Sequence, residues 1–437
     1  MIEPDIKIIA VDNDSSELTR IVKTFNKLRI SCFPIEYNIG DEIEEKYSNV
    51  RIAFFDINLG LGNPSDSDLC NIISSALKEI IDRNNGPYAL IFWSKHTAKV
   101  NLIKKYINER EKENIPSPLI VETIDKALVI DDEKFLIEIK RILSNSTLEA
   151  MFDYQEKVKK AAAKTINSIF SLIPNDTDKW GEHEAFEKNF DLVFSKMASN
   201  TLGRELAVKK PNLAIQRTLF PILLYNIQKE SLSNIWEYKM KALKKEDVLK
   251  FPTNFNINIL NSIYHIHYDS SLTKDERGII IKMNMNTKHF TSVFGKKKDS
   301  FFRDFFDFKK ANKGQTEEEF ETMIKTFLNK IEPVFVEISA ACDYAQQNNR
   351  ACKYLFGIKY PISSNVTLRK SDYTFPTPIF AIENVNFQII FNFRFVFGYS
   401  ITNGVLGQIK FKLSDDLVNQ IGNRYANYTS RIGIISH

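Results

Sequence analysis

The chain has 437 residues, of which 43% are hydrophobic, 26% charged and 12% aromatic, a composition that excludes an intrinsically disordered protein and predicts roughly two to four domains. Its net charge of +4 neither requires nor excludes a polyanionic partner, and four cysteines in so long a chain indicate reduced thiols rather than a disulfide scaffold. The N-terminus lacks the pattern of a signal peptide, and the apolar stretch 387–401 is interrupted by Asn392 and Arg394. We therefore expect a cytoplasmic protein without a membrane span.

The first third of the chain alternates short apolar runs with amphipathic segments. Strands are predicted at 6–11, 30–37, 52–55, 88–93 and 119–121. Helices are predicted at 15–28, 69–82, 100–113 and 132–144. Near-continuous apolar strands that alternate with helices indicate an α/β domain over residues 1–145, a doubly wound five-stranded parallel sheet covered on both faces.

The segment 146–250 has the pattern of a helical middle region. Apolar residues recur at three- and four-residue steps from Met151 to Ile169, which predicts a helix. Such a helix either packs on its own chain or pairs between two chains, and the repeat is too short to indicate a coiled coil. We favour packing within the chain and keep a homodimer through residues 151–170 as the alternative.

From about residue 251 the pattern changes to alternation with period two. It predicts strands at 255–259, 263–268, 278–285, 334–338 and 387–397, with helices at 316–328 and 415–430. We therefore predict a β-rich or α+β C-terminal domain over residues 251–437. The chain has no Walker A loop, no Gly-x-Ser-x-Gly elbow and no His-Glu-x-x-His motif, so we expect that it is not an enzyme and leave the output of this domain open.

Two features of the C-terminal domain have a functional and a structural interpretation. The run 295–310 mixes basic residues with five phenylalanines, which could bind single-stranded nucleic acid by stacking. We favour a helix with a phenylalanine core, because exposing five such rings is costly. His265 and His267 share a face of a predicted strand, and Cys342 could complete a zinc site with them. We favour unliganded side chains here, because the cysteine spacing fits no zinc-ribbon pattern.

Reactive side chains follow the predicted strands of the first domain. Asp12 ends the first strand, Asp56 and Asn58 follow the third, Ser94 follows the fourth, and Lys126 follows the fifth. The carboxyl ends of parallel strands converge, so these residues should share one pocket. Clustered carboxylates repel each other and normally require a hard cation such as Mg²⁺. A carboxylate that accepts a phosphoryl group needs the same surroundings: a cation, a lysine and a hydroxyl.

On these residues, the segment resembles a response-regulator receiver domain with a flavodoxin-like fold. The resemblance implies that Asp56 is the phosphoacceptor and that a histidine kinase is the partner. It implies Ser94 and Lys126 as the residues that respond to phosphorylation. The metal positions that it implies are Asp12, Asn13, Asp56 and the backbone carbonyl of Asn58.

The chain departs from the receiver pattern in several places. Asn13 stands where the family has a second acid, Lys95 where it has a small residue, and no proline follows Lys126. The departures bear on metal affinity and phosphorylation rate rather than on the fold. A degenerate receiver that serves as a docking module is the alternative; the retention of Asp56 favours an active one.

Two short motifs suggest a biological setting. Phe-Trp-Ser-Lys-His follows the fourth predicted strand, and Cys-Asp-Tyr-Ala-Gln begins at Cys342. A chain with both resembles receivers of bacterial phage-defence operons of the Detocs type. That resemblance implies a phosphoryl sink or regulator without an enzymatic effector. A regulator whose C-terminal domain binds nucleic acid is the further alternative, and we favour no nucleic-acid partner.

Overall fold

A computed structural model describes residues 7–27, 29–41, 43–60, 62, 64–94, 97–126, 132–174, 184–241, 243, 251–269, 272–339 and 351–430. The chain forms two compact units: Met1–Lys164 with Tyr225–Leu243, and Thr165–Leu224 with Lys244–His437. The division into three parts at residues 145 and 250 stays a prediction. Within the described ranges, no helix combines the length and apolar character that crossing a bilayer requires.

The first unit is built on a parallel sheet. Its described strands are β1 (Ile8–Asp12), β2 (Phe33–Glu36), β3 (Ile52–Phe55), β4 (Ala89–Trp93) and β5 (Ile120–Ile124). They run in the order β2-β1-β3-β4-β5, which is the flavodoxin-like order. Every residue of β1, β3 and β4 is buried, because helices cover both faces. The structure confirms the predicted doubly wound sheet.

Four helices flank this sheet: α1 (Ser15–Lys27), α2 (Asp66–Ile80), α3 (Val100–Arg110) and α4 (Asp132–Leu143). Helices α1 and α4 contribute Phe25 and Phe135 to one face, where both rings pack on Phe54 of β3. Helices α2 and α3 cover the other face. Helix α2 begins three residues before its predicted start, because the Ser65 hydroxyl caps it and accepts from the backbone N–H of Asp68 at 3.2 Å.

A helical region follows, as predicted. It consists of α5 (Ser146–Phe170), α6 (Glu184–Leu202), α7 (Arg204–Lys209), α8 (Pro211–Lys229) and α9 (Asn234–Lys241). Residues 151–170 lie within α5, and pairing of two chains through this helix stays a prediction. Helix α8 begins at Pro211, a residue that suits the first helical position because its missing N–H would have no partner there.

The C-terminal part is antiparallel and rich in strands, as predicted. Its helices are α10 (Ile257–His265), α11 (Thr287–Phe294), α12 (Lys298–Arg303), α13 (Glu317–Asn329) and α14 (Asp415–Thr429). Its described strands are β6 (Ile266–His267), β7 (Ile279–Met283), β8 (Phe306–Phe308), β9 (Glu332–Glu337), β10 (Cys352–Pro361), β11 (Val366–Leu368), β12 (Thr374–Pro376), β13 (Phe380–Ile382), β14 (Val385–Tyr399) and β15 (Leu406–Leu413). The main sheet has the order β12-β14-β10-β9-β7-β15-β6, β13 pairs with β14, and β11 pairs with β8.

The segment 255–268 does not form the two predicted strands. Helix α10 occupies most of it, and only Ile266 and His267 are extended. The Asn256 side chain caps the helix by accepting from the backbone N–H groups of Asn258 and Ile259, at 3.1 and 3.2 Å. An N-cap in this position outweighs the short alternating pattern, which also fits one face of a helix.

The phenylalanine-rich run 295–310 is only partly helical. Helix α12 ends at Arg303, and Phe306–Phe308 forms β8. Four of the five rings are buried in one core with β9 and β10: those of Phe301, Phe302, Phe305 and Phe306. The predicted core role is therefore confirmed for these four, and the single helix is wrong.

Candidate functional site

Two carboxylates lie side by side where central strands of the parallel sheet end. Asp12 is the last residue of β1, and Asp56 directly follows β3. The register pairs Val11 with Phe55, and the backbone N–H of Asp56 donates to the Val11 carbonyl at 2.9 Å. Asp12 is fully buried and Asp56 is 5% exposed. The strand pairing therefore holds two acidic side chains together away from solvent.

Lys126, two residues beyond β5, joins these carboxylates. Its Nζ lies 2.7 Å from Oδ2 of Asp12 and 3.1 Å from Oδ2 of Asp56. Burial acts to lower the pKa of Lys126, but the hydrogen bond to Asp12 and the charges of both aspartates outweigh it and raise the pKa above 10.5. The ammonium group therefore stays charged at neutral pH.

One ammonium group does not balance two buried carboxylates. Burial raises the pKa of Asp12 above 3.8, and the negative charge of Asp56 acts in the same direction. Hydrogen bonds from Lys126 and from the backbone N–H of Asp14 oppose this rise. The pocket thus holds an excess of negative charge, which favours a further cation.

Asn13 and Asn58 complete the polar wall of the pocket. In the orientation that satisfies its hydrogen bonds, the Asn13 side-chain amide donates to the Asn58 carbonyl oxygen at 3.3 Å and to Oδ1 of Asp12 at 3.2 Å. Both side chains are only partly buried. The Asn13 amide therefore links the backbone oxygen of Asn58 to the Asp12 carboxylate.

The second oxygen of the Asp56 carboxylate has no hydrogen-bond donor among the residues that the structure describes. Oδ1 is buried, and no described residue donates to it, whereas Oδ2 faces Lys126. A buried carboxylate oxygen without a donor costs free energy, so its retention calls for an explanation such as an ion or a reacting group.

Ser94 follows β4 at the same edge of the sheet. Its backbone N–H donates to the Ile124 carbonyl at 3.1 Å, and the residue is 2% exposed. Asp12, Asp56, Ser94 and Lys126, the residues expected to converge, thus all lie at the carboxyl edge of the sheet. Lys95, which stands where the receiver pattern has a small residue, lies outside the described residues.

The donors at this edge suit Mg²⁺. The Asp12 and Asp56 carboxylates and the Asn58 carbonyl are hard oxygen ligands. The described residues contain no cluster of three or more His, Cys, Asp or Glu side chains placed to hold a metal. A cation here would therefore rely on two carboxylates and on neutral oxygens.

Asp14 does not replace the acid that the receiver pattern has at position 13. It is exposed, and its Oδ1 accepts from the hydroxyl and the backbone N–H of Ser16, at 2.6 and 2.8 Å. The Ser16 hydroxyl is the main reason that the pKa of Asp14 lies below 3.8. The Asp14 carboxylate therefore caps α1, and only the backbone N–H of this residue contributes to the pocket.

Trp93 is a part of the pocket that sequence reasoning missed. Its ring is fully buried, and the Nζ of Lys126 lies 4.6 Å from the ring centroid. The indole N–H is buried without an acceptor among the described residues. The lysine thus rests between two carboxylates and an aromatic face. The sequence feature that could have indicated this role is the position of Trp93, an aromatic residue directly before Ser94 at the end of β4.

The candidate zinc residues do not share a strand. His265 ends α10 and its Nδ1 lies 3.0 Å from the Ser414 hydroxyl, whereas His267 is an exposed residue of β6. Burial lowers the pKa of His265 below 6.5. Cys342 lies outside the described residues. The expectation of two imidazoles on one strand face was therefore wrong.

Comparisons with known proteins add little to this geometry. No protein-family model matches the chain, and no curated protein matches it. Among solved structures, full-length FixJ from B. japonicum is similar at 11% identity and a TM-score of 0.22, over 55% of this chain and 98% of that one. Similarity at this level establishes no relationship. The strand order itself gives the first unit a flavodoxin-like fold, with Asp12, Asp56 and Lys126 together at the carboxyl edge of the sheet.

Proposed function

We propose that this protein is a two-component signalling protein whose Asp56 accepts a phosphoryl group from the phosphohistidine of a partner kinase. One observation carries the proposal: Asp56 is buried beside Asp12, one of its oxygens contacts Lys126, and no donor in the described ranges reaches the other. A phosphoacceptor needs an ionised carboxylate with an unoccupied oxygen near fixed positive charge.

In the proposed reaction, a carboxylate oxygen of Asp56 forms a bond to phosphorus. The bond from phosphorus to the imidazole nitrogen of the kinase histidine breaks, and the imidazole leaves with that electron pair and takes a proton from solvent. The product is an acyl phosphate on Asp56. The ammonium of Lys126, already 3.1 Å from Oδ2, pairs with the phosphoryl oxygens, and the Ser94 hydroxyl donates to them.

Mg²⁺ fits the same pocket. The Asp12 and Asp56 carboxylates and the Asn58 carbonyl would hold it, with Asn13 beside them. When bound, it neutralises negative charge on the carboxylates and on the incoming phosphoryl group.

A new anion on Asp56 would also alter the contacts of its neighbours. Lys126 now pairs with Asp12 and covers the ring of Trp93. Moving its ammonium toward the phosphoryl group weakens both contacts, and Trp93 is covalently joined to Ser94. A change at Asp56 would thereby reach the end of β4, and signalling requires that such a change shifts a conformational equilibrium.

The setting that we propose is phage defence, in which the protein is a phosphoryl sink or regulator. The support is the sequence resemblance around Ser94 and Cys342. Phage challenge of cells that carry the wild type or Asp56→Asn tests this part separately: a sink predicts altered protection in the variant, and equal protection contradicts it.

Phosphoacceptance itself is tested with acetyl phosphate and Mg²⁺, followed by intact-mass measurement. The wild type should gain the mass of one phosphoryl group, and Asp56→Asn should gain none. Asp66→Asn is the matched control, because Asp66 is an exposed carboxylate on α2 and should leave the reaction intact. Absence of a mass gain in the wild type contradicts the proposal, and equal gain in Asp56→Asn places the phosphoryl group elsewhere.

A further inference from the structure

A second concave site lies at the opposite edge of the parallel sheet. It is a cavity of about 630 Å³, within the range of small-molecule sites. Its described lining includes the cations Lys7, Arg51 and Lys159 and the apolar or aromatic residues Tyr154, Val158 and Trp236. Lys7 precedes β1 and Arg51 precedes β3, whereas Asp12 and Asp56 stand at the other ends of these strands. The cavity is therefore separate from the carboxylate pocket.

Helix α5 forms one wall of this cavity. Met151, Tyr154, Val158 and Ala162 share one face of the helix, at spacings of three or four residues. They belong to the apolar stripe that the sequence predicted. Trp236 of α9 adds an aromatic ring, which its N–H fixes by donating to Oδ2 of Asp153 at 3.1 Å. This part of the apolar face of α5 therefore lines the cavity and is not packed in a hydrophobic core.

The charged residues of the lining are all cations. Lys7, Arg51 and Lys159 line the cavity, and the described lining contains no carboxylate. Lys7 is neutralised from outside the lining by Glu156, whose Oε1 lies 2.6 Å from its Nζ. The lining therefore favours a negatively charged occupant.

The charge of Arg51 has no ion-pair partner among the residues that the structure describes. It is partly buried, and its guanidinium donates to the Gln155 Oε1 and to the Val50 carbonyl, both at 3.2 Å. Both acceptors are neutral, and no carboxylate in the described ranges forms an ion pair with it. Burial lowers the pKa of Arg51 from its ordinary value, in keeping with a desolvated charge.

We propose that this cavity binds a small organic anion with a flat apolar body. The acid group meets the guanidinium of Arg51, which suits a carboxylate, sulfonate or phosphate through its planar fork of N–H groups. The apolar body packs against Tyr154, Val158 and Trp236, as aromatic rings favour. The site is independent of phosphoacceptance on Asp56.

The test compares two fluorescent probes of similar shape on the full chain: the anion 1-anilinonaphthalene-8-sulfonate and the neutral N-phenyl-1-naphthylamine. The wild type should bind the anion at one site and prefer it over the neutral probe by about tenfold. Arg51→Met should weaken binding of the anion by about tenfold and abolish the preference. Equal affinity of the wild type for both probes, or unchanged binding in Arg51→Met, overturns the proposal.

Two further variants protect the test from a folding defect. Ala162→Trp retains Arg51 but places a large ring in the cavity from the half-buried face of α5. It should abolish binding of both probes at this site. Arg83→Met, at an exposed arginine outside the cavity, is the matched control and should bind as the wild type does. Near-ultraviolet circular dichroism verifies the tertiary structure of each variant. If Ala162→Trp is folded and still binds the anion at one site, the cavity is not the binding site.

Asp56→Asn separates this inference from the proposed function. It should lose phosphorylation and keep full binding of the sulfonate probe, because the two sites occupy opposite edges of the sheet. Loss of probe binding in a folded Asp56→Asn would contradict the separation of the sites, whatever the outcome with acetyl phosphate.

Discussion

Each compact unit buries acidic side chains against lysines. The first unit has two acids to one lysine, and the second has one acid to two lysines. In the first unit, Asp12 and Asp56 share the single ammonium of Lys126. In the second, Glu276 faces two ammonium groups, those of Lys210 at 2.7 Å and Lys412 at 3.5 Å. Glu276 also accepts from the backbone N–H of Thr273 at 3.1 Å.

The opposite ratios shift the two pKa values in opposite directions. Burial raises the pKa of Asp12, and one shared lysine does not reverse this. Burial acts on Glu276 in the same direction, but Lys210, Lys412 and the Thr273 N–H outweigh it and lower the pKa below 4.5. A satisfied carboxylate such as Glu276 stabilises the fold, whereas the unbalanced pair at the sheet edge is poised to bind a cation or to react.

The largest expected effect comes from removing the shared cation. Lys126→Met leaves two buried carboxylates unpaired and should lower the free energy of unfolding by about 3 kcal/mol. Mg²⁺ should restore more stability to this variant than to the wild type, because it supplies the missing charge. Urea unfolding with and without Mg²⁺ measures both quantities.

Lys105→Met is the matched control for that variant, since Lys105 is 73% exposed, and it should change stability by less than about 0.5 kcal/mol. A loss in Lys126→Met no larger than in the control would show that the two carboxylates do not depend on Lys126.

The balanced cluster should respond less strongly and with a definite pH dependence. Glu276→Gln should cost about 2 kcal/mol at neutral pH, because the two lysines lose their anion but remain partly open to solvent. The folded pKa of Glu276 is depressed, so its contribution is present above pH 4.5 and is lost as the pH falls through the folded value. Urea unfolding across this pH range should show the wild type and the variant converging in acid; a constant difference would contradict the assignment.

An added acid should sharpen the contrast at the sheet edge. Asn13→Asp places a third carboxylate beside Asp12 and should tighten Mg²⁺ binding by about tenfold, while lowering stability without the metal. Calorimetric titration with Mg²⁺ measures the change. Asp14→Asn is the control, since Asp14 caps α1, and its Mg²⁺ affinity should equal that of the wild type. An unaltered affinity in Asn13→Asp would exclude Asn13 from the cation site.

The smallest effect is expected at Trp93. Trp93→Phe removes a buried N–H without an acceptor but weakens the aromatic contact with Lys126, so the stability change should stay within about 1 kcal/mol. The wild type should show a fluorescence change on adding beryllofluoride and Mg²⁺, as Lys126 leaves the ring, and the variant should lose it. Trp236→Phe should keep the change; its loss there would assign the signal to the cavity.

The carboxyl edge of the parallel sheet could be predicted from the sequence because Asp12, Asp56 and Ser94 each directly follow an apolar run. Once the runs at 52–55 and 88–93 are taken as parallel strands, topology alone brings Asp56 and Ser94 to one edge. The contact of Lys126 with the Trp93 ring could not be predicted in the same way. The position of Lys126 over this ring depends on the path of the chain after β5, which no periodicity in the sequence encodes.

Other features depend on competition between local and distant contacts. The apolar spacing of 255–268 fits a strand or a helix, and the cap at Asn256 decides for α10. Arg51 belongs to no sequence motif. Only the packed structure shows that α5 places a neutral side chain, Gln155, beside its guanidinium. Sequence patterns predict which elements form; the partners of a single charged side chain require the packed structure.

The central claim is that Asp56 carries the phosphoryl group. Borohydride reduction locates it, because an acyl phosphate on aspartate is reduced to the alcohol of homoserine, which peptide mass mapping identifies. After treatment with acetyl phosphate and Mg²⁺, homoserine should appear at position 56 and at no other aspartate. Homoserine at another position, or none at all in the phosphodonor-treated protein, would contradict it.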